Sequence, residues 1–319
     1  MMISGKQAVP SARRKRTIHQ LWIGCLLLLA SVLLVGASDL KYGLVKQDVV
    51  MARLQNAPMS NSDRVLALEK MFRDAGCQPT EQAVKHLHQP NVLCVLPGST
   101  DSTIVVGGHL DHVEEGTGVV DDWSGASMLP SLYQSLAGQP RSHTFLFIGF
   151  AGEEEGLVGS EFYAKHLDPE DRKRIVAMVN LECLGIGPTE VWTGHSEPIL
   201  VRMLVAMAQG MKVPINGINM DRAGTSQPQR FRPRQAIGRS IPQVSTDSES
   251  FADVGIPRIT ITAITHDTWP LLHSSKDNIK AINPEQYYES YRLIAPYLAL
   301  LDQQLPTDGS DIEKDFSHK

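Results

Sequence analysis

Thr103-Ile104-Val105-Val106-Gly107-Gly108-His109-Leu110-Asp111 runs from a β-branched apolar stretch directly into a histidine and a carboxylate. Thr103 to Val106 reads as a short strand, and the polar donors come immediately after it. The arrangement recurs twice downstream. Phe145 to Phe150 is followed by Gly152-Glu153-Glu154-Glu155-Gly156, and Met178-Val179-Asn180-Leu181 is followed by Glu182. Near-continuous apolar strands alternating with helices indicate a sheet covered on both faces. Such a sheet collects ligands at the carboxyl ends of its strands. The expected fold is therefore a single α/β/α sandwich domain around a mixed, mostly parallel sheet.

Working outward, Asp63 to Ala75 reads as an amphipathic helix ended by Gly76, and Asn91 to Leu96 as a strand closed by the turn Pro97-Gly98. Ser124 to Leu136 has helical spacing, with Ser124 placed as the N-cap. His143 to Phe150, Ile175 to Leu181, Glu190 to Thr193 and Arg258 to Ile264 supply further strands. The last helix has Asn283 as cap, Pro284 at its first position, and Tyr287, Tyr291, Ile294, Leu298 and Leu301 on one face.

The 319 residues are 42% hydrophobic and 20% charged, which excludes disordered and fibrous classes. A net charge of −5 without a basic stripe gives no sign of a nucleic-acid partner. Residues 1–20 form a basic segment containing Arg13, Arg14, Lys15 and Arg16, and residues 21–37 are apolar and uncharged. That run reads as a membrane anchor with the basic end in the cytoplasm and the remainder outside. A cleaved signal ending near Val35-Gly36-Ala37 is the rival, although twenty residues make a long leading segment for one. Residues 38–305 then form the folded domain, and 306–319 a polar tail. No cysteine pair has zinc-finger spacing. Cys183 reads as a small buried residue, and Cys77 and Cys94 are free to pair or not in an oxidising compartment.

Taken singly, each polar motif has an ordinary explanation. Asp121-Asp122-Trp123-Ser124-Gly125 opens a helix, where aspartates favour the dipole. An acidic triplet is usually a solvated turn, and a lone His-x-Asp is usually structural. Their coincidence at successive strand ends, with a late histidine in Leu271-Leu272-His273-Ser274-Ser275, is what points to chemistry.

That ordered set resembles the zinc exopeptidases typified by secreted bacterial aminopeptidases, a fold shared with glutamate carboxypeptidase and glutaminyl cyclase. The motifs are Gly-His-x-Asp, Asp-Asp-x-Ser-Gly, Glu-Glu before Gly-Leu-x-Gly-Ser, an acid after Asn-Leu, and the late His. The resemblance runs from about Asn91 to Leu301. It implies two zinc ions held by His109, Asp121, Glu154, Glu182 and His273, with Asp121 as the bridge. Sequence leaves open whether Glu154 binds alongside His109 or Glu182; the family pattern puts Glu154 with His109, and Glu182 with His273. Glu153 matches the general base, and Asp111 the carboxylate that orients His109. The Asp121–Asp122 peptide bond is cis in many such proteins. Many relatives carry Asp where this chain has Glu182, which puts the second ion in question.

The chemistry suits those roles. Zinc takes imidazole and carboxylate donors, and one carboxylate can span two ions. Three functions follow as expectations: release of N-terminal residues from peptides, glutaminyl cyclisation with one zinc, and an exported binding module that has lost catalysis. The intact Asp121-Asp122 pair argues against the second, and the complete donor set against the third. Carboxypeptidase action stays open within the first. His112, His143, His166 and His266 read as surface or packing residues. Thr246-Asp247-Ser248-Glu249-Ser250-Phe251 is assigned a pocket-shaping role. Asn219 to Gln243, with five arginines, reads as a solvated insertion, or a lid as the sharper alternative.

Overall fold

The computed structural model describes residues 40–218 and 245–308. The basic segment, the apolar run 21–37, the arginine-bearing stretch from 219 and the tail from 309 lie outside the described residues. The chain divides into two compact units, Met1–Leu40 and Lys41–Lys319. Among the described residues no helix is long and apolar enough to cross a membrane.

The second unit is built on one eight-stranded mixed sheet. Its strands are β1 (Thr80–Gln82), β2 (Asn91–Leu96), β3 (Thr103–His109), β4 (Thr144–Phe150), β5 (Ile175–Glu182), β6 (Glu190–Trp192), β7 (Asn216–Ile218) and β8 (Arg258–Thr262). They lie in the order β1-β2-β4-β3-β5-β8-β6-β7. The central run β4-β3-β5-β8 is parallel throughout, and antiparallel pairings occur only toward the edges. The parallel register sets His109 beside Phe150, and Glu182 beside Thr262. The carboxyl ends of four adjacent strands therefore open on one edge.

The central strands are buried almost end to end, as continuous apolar runs require of a doubly covered sheet. Helices α1 (Gln47–Gln55), α2 (Asn61–Asp74), α3 (Ser124–Ala137), α6 (Pro198–Met211) and α8 (Pro284–Gln304) pack together over one face. On the other, α4 (Val158–Lys165) and α7 (Asp247–Ala252) pack on each other, and α5 (Pro169–Arg174) lies against β5. The faces alternate along a strand. Phe147 meets Tyr133 of α3 edge-on at 5.9 Å, whereas Phe150 meets Phe251 of α7 at 6.0 Å.

Local chemistry explains most element ends. Ser60 accepts from the Asp63 N–H, so α2 starts before Asp63. Asn283 accepts from the N–H groups of Glu285 and Gln286, capping α8 as expected. Ser124 does not cap. Its hydroxyl donates to Val120 O and accepts from Leu184 N–H, and Asp122 Oδ1 instead takes the Gly125 N–H at the helix start. Helix α6 has no counterpart in the sequence reading, although Pro198 at its first turn and Ile199, Met203, Leu204 and Met207 on its buried side signal it. Cys77 and Cys94 are joined by a disulfide that ties β2 to the chain following α2.

Phe251 is fully buried between Phe150 and Tyr163. Phe251→Ala should lower unfolding free energy by about 3–5 kcal/mol. Urea denaturation measures this, and a loss below about 1 kcal/mol would show that the face repacks around the vacancy.

Candidate metal centre

The polar donors named from sequence converge at the open edge. His109 ends β3 and is completely buried. Its Nδ1 lies 3.1 Å from the main-chain carbonyl of Asp111, which leaves the Nε2 lone pair directed at a carboxylate cluster. Asp121 Oδ1 is 3.1 Å from that Nε2, and Glu182 Oε1 is 3.6 Å away. The other oxygen of Asp121 serves the other imidazole: Oδ2 stands 3.2 Å from His273 Nε2. Glu154 Oε2 is 3.1 Å from the same nitrogen.

Two imidazole–carboxylate groupings thus share Asp121, and their membership differs from the ligand pairing of the family pattern. Glu182 pairs with His109 and Glu154 with His273, because Glu182 ends β5 beside β3 while Glu154 lies in the turn after β4 that faces His273. The role given to Asp111 is also corrected. Its carboxylate lies 3.8 Å from His109 Nδ1, beyond hydrogen-bond reach, and accepts instead from the N–H groups of Glu153 and Glu154 at 3.1 and 3.2 Å. Orientation of the imidazole falls to the Asp111 carbonyl. The longer side chain of Glu182 still reaches the cluster, with its second oxygen held by Asn180 Nδ2 at 3.1 Å.

The Asp121–Asp122 peptide bond is cis. Asp122 acts as a junction. Its oxygens accept from the N–H groups of His109, Gly125 and Cys183 at 3.2, 3.0 and 2.9 Å, which joins β3, α3 and the end of β5. A Cβ on Gly125 would stand 2.4 Å from that carboxylate and 2.6 Å from Leu181 O, so only glycine allows the approach.

Three further residues escaped the sequence reading. Arg64 on α2 is fully buried over the Trp123 ring and donates to the carbonyls of Pro58, Leu110, Thr117 and Gly118. Burial pulls its guanidinium down to about 10, and neighbouring Asp111, Asp277, Asp122 and Asp121 resist that fall. Asp277 holds the turn before Asp121 by accepting from the Val120 and Asp121 N–H groups. Asp247 is buried, with the Ser160 hydroxyl as its neighbouring donor and no well-formed hydrogen bond to either oxygen among the described residues. Burial raises its carboxyl to about 7. Only the last lay in a stretch singled out beforehand, and there as a shaping element. Four carbonyls around a guanidinium leave no sequence signature.

His143 bonds to Asp302 and Pro306, His166 stacks on Phe162, and His112 bonds to Met59 O, so each is engaged away from the cluster. Cys183 is buried as expected, although its Sγ lies grouped with oxygens of Asp121 and Glu182, all within 4.8 Å of one another.

The cluster is built for positive charge. Burial opposes charging His109, but hydrogen bonds to Asp121 and Glu182 outweigh it and hold the imidazole well above its ordinary value. Hydrogen bonds to Asp121 and Glu154 raise His273 to about 10. Burial holds the Glu153 carboxyl well above the usual range, and its carboxylate neighbours Glu182, Asp247 and Glu154 add to that. Ligand atoms of His109, Asp121 and Glu154 lie within 4.8 Å of one another, as do those of His109, Asp122 and Glu182. Glu154 Oε1 is buried without a hydrogen-bond partner among the described residues. Imidazole and carboxylate donors at this density, with one oxygen left over, fit divalent zinc.

Comparisons with known proteins give the family and the fold. The profile of Peptidase family M28 matches residues 91–298, and the chain belongs to that family. A probable leucine aminopeptidase of Arthroderma benhamiae is 26% identical over 231 residues, which cover 68% of this chain and 59% of that protein. This chain thus spans about three fifths of the length of that relative. Three solved structures share the fold. The LapA aminopeptidase of Legionella pneumophila has a TM-score of 0.68 at 18% identity, covering 82% of this chain and 73% of its own. BSAP, a zinc aminopeptidase from Bacillus subtilis, has 0.56 at 20%, covering 70% and 53%. Porphyromonas gingivalis glutaminyl cyclase has 0.59 at 15%, covering 82% and 97%.

Imidazole ligands must lose their protons to bind a metal. Zinc affinity of the metal-free protein should therefore fall by about tenfold or more between pH 7.5 and pH 5.5. Competition with a chromophoric chelator measures it, and a pH-independent affinity would remove both histidines from the ligand set.

Proposed function

We propose that this chain is a zinc-dependent aminopeptidase using two ions, with His109, Glu182 and one oxygen of Asp121 holding the first. His273, Glu154 and the other oxygen of Asp121 hold the second. The observation that carries the reading is the placement of one Asp121 oxygen 3.1 Å from His109 and the other 3.2 Å from His273. When bound, a zinc pair acidifies water and polarises the scissile carbonyl.

The protein's own residues do the rest. Glu153 follows β4 on a main chain held by the Asp111 carboxylate, and its carboxyl lies among the ligands without being one. It takes the proton from the attacking water and passes it to the departing amine. With a zinc pair bound, the carboxylates that hold it would be offset, so the choice of peptide end falls to the walls of the pocket. Membership of Peptidase family M28 and the likeness to a probable leucine aminopeptidase support aminopeptidase action.

The placement outside the cell, anchored by the apolar run 21–37 or secreted after its cleavage, is part of the same proposal. It rests on the basic residues preceding that run.

Glu153→Gln should lower kcat by about 10²–10⁴-fold while zinc content stays at the parental level. Amino-acid arylamides, N-blocked peptides and N-terminal glutaminyl peptides, each with and without chelator, provide the assay. Parental turnover in Glu153→Gln would remove the base. Cyclisation of glutaminyl peptides without arylamide hydrolysis would replace the peptidase reading with the cyclase.

A further inference from the structure

We propose that Asp277 is a positioning residue that sets the separation between the two halves of the metal centre, an inference resting on the two-ion reading above. The His273 side chain is 46% exposed, so packing alone does not hold it against Asp121. The turn behind it does. The Ser274 hydroxyl donates to Leu271 O at 2.6 Å, and the Asp277 N–H donates to Ser274 O at 2.9 Å, closing a compact turn.

From that turn Asp277, itself 2% exposed, grips the opposite half of the site. Its Oδ1 accepts from Val120 N–H at 2.8 Å and its Oδ2 from Asp121 N–H at 3.1 Å. Its carbonyl accepts from both the N–H and the hydroxyl of Thr117, at 2.8 and 3.0 Å. The two loops also interlock sterically. A Cβ on Gly116, where φ is 85°, would stand 2.4 Å from Ser274 O and 3.1 Å from Asp277 O. The loop bearing His273 and the turn bearing Asp121 are thereby one unit, joined through a carboxylate that belongs to neither half-site.

Asp277 thus acts through geometry. Both of its oxygens are engaged by main-chain N–H groups, and what they fix is the distance between the loop of His273 and the turn that carries Asp121. Replacing it by asparagine keeps the shape but turns an amide NH₂ toward one of those N–H groups, setting donor against donor. The half-site that depends on the joint is the one containing His273. The half-site of His109 and Glu182 hangs on β3, β5 and the Asp122 junction.

The test titrates the full chain with zinc against a chromophoric chelator, with circular dichroism as a check on folding. The parent should bind two ions. In Asp277→Asn one ion should keep its affinity to within about twofold, and the other should weaken by about 10–100-fold, the usual effect of removing an outer partner of a ligand. Excess zinc should restore most of kcat, which a general folding defect would not allow. Thr117→Val, which removes only the hydroxyl bond to the Asp277 carbonyl, should weaken the same ion by about threefold, roughly the worth of one hydrogen bond. Parental affinity for both ions in both variants, or equal weakening of both ions in a folded Asp277→Asn, would overturn the proposal. If Asp277→Asn does not fold, Thr117→Val decides: selective weakening supports the joint and unchanged affinities reject it. A parent that binds one ion or none would instead end the two-ion reading, before either variant is compared.

Discussion

A buried carboxylate with one oxygen turned to each of two imidazoles is the constraint on which the remaining structure depends. Asp121 holds this position at 6% exposure among Glu153, Glu154 and Glu182. Carboxylates crowded this closely repel one another and lose hydration, so the arrangement is costly unless cations compensate it. The histidines supply part of that charge when protonated, and divalent ions supply it more fully. Burial by itself would raise the Asp121 carboxyl, yet hydrogen bonds to His109 and His273 hold it below the usual range.

The fold meets the constraint by bringing rigid elements to one edge and fastening them with carboxylates that bind main chain. Strands β3 and β5 are neighbours in the parallel core, which delivers His109 and Glu182 together. Asp122 joins the ends of those strands to the start of α3, Asp111 secures the turn carrying Glu153 and Glu154, and Asp277 fastens the approach to Asp121. Arg64 collects the carbonyls of the same loops. A charge-assisted bond from a carboxylate to an N–H is stronger than a neutral one. Three such carboxylates around the donor cluster tie the ends of strands and a helix to the loops that carry the remaining donors.

Much of this was legible in the chain. The apolar runs ending in His109, Phe150 and Glu182 predicted a parallel core with donors at its edge, because burial on both faces leaves a continuous apolar pattern. Asn283 and Pro284 announced the last helix through cap chemistry alone. What was not legible depends on pairings between distant segments. Which glutamate lies beside which histidine is set by strand order, which no local motif in the sequence carries. The Asp111 carboxylate turned to two N–H groups because its carbonyl already served His109. Ser124 stands where a cap residue would, but Asp122 reaches the Gly125 N–H instead. Arg64, Asp247 and Asp277 carry no local pattern, since what surrounds them are carbonyls, side chains and N–H groups far along the chain.

The most direct test of the shared carboxylate is diffraction from zinc-loaded crystals at the zinc absorption edge. Two anomalous peaks about 3.5–4 Å apart are predicted, one on each oxygen of Asp121. The inner peak should lie about 2.0–2.2 Å from His109 and Glu182 donors, and the outer one at similar distances from His273 and Glu154. A single fully occupied peak, or two peaks with only one Asp121 oxygen in reach of either, would contradict the account.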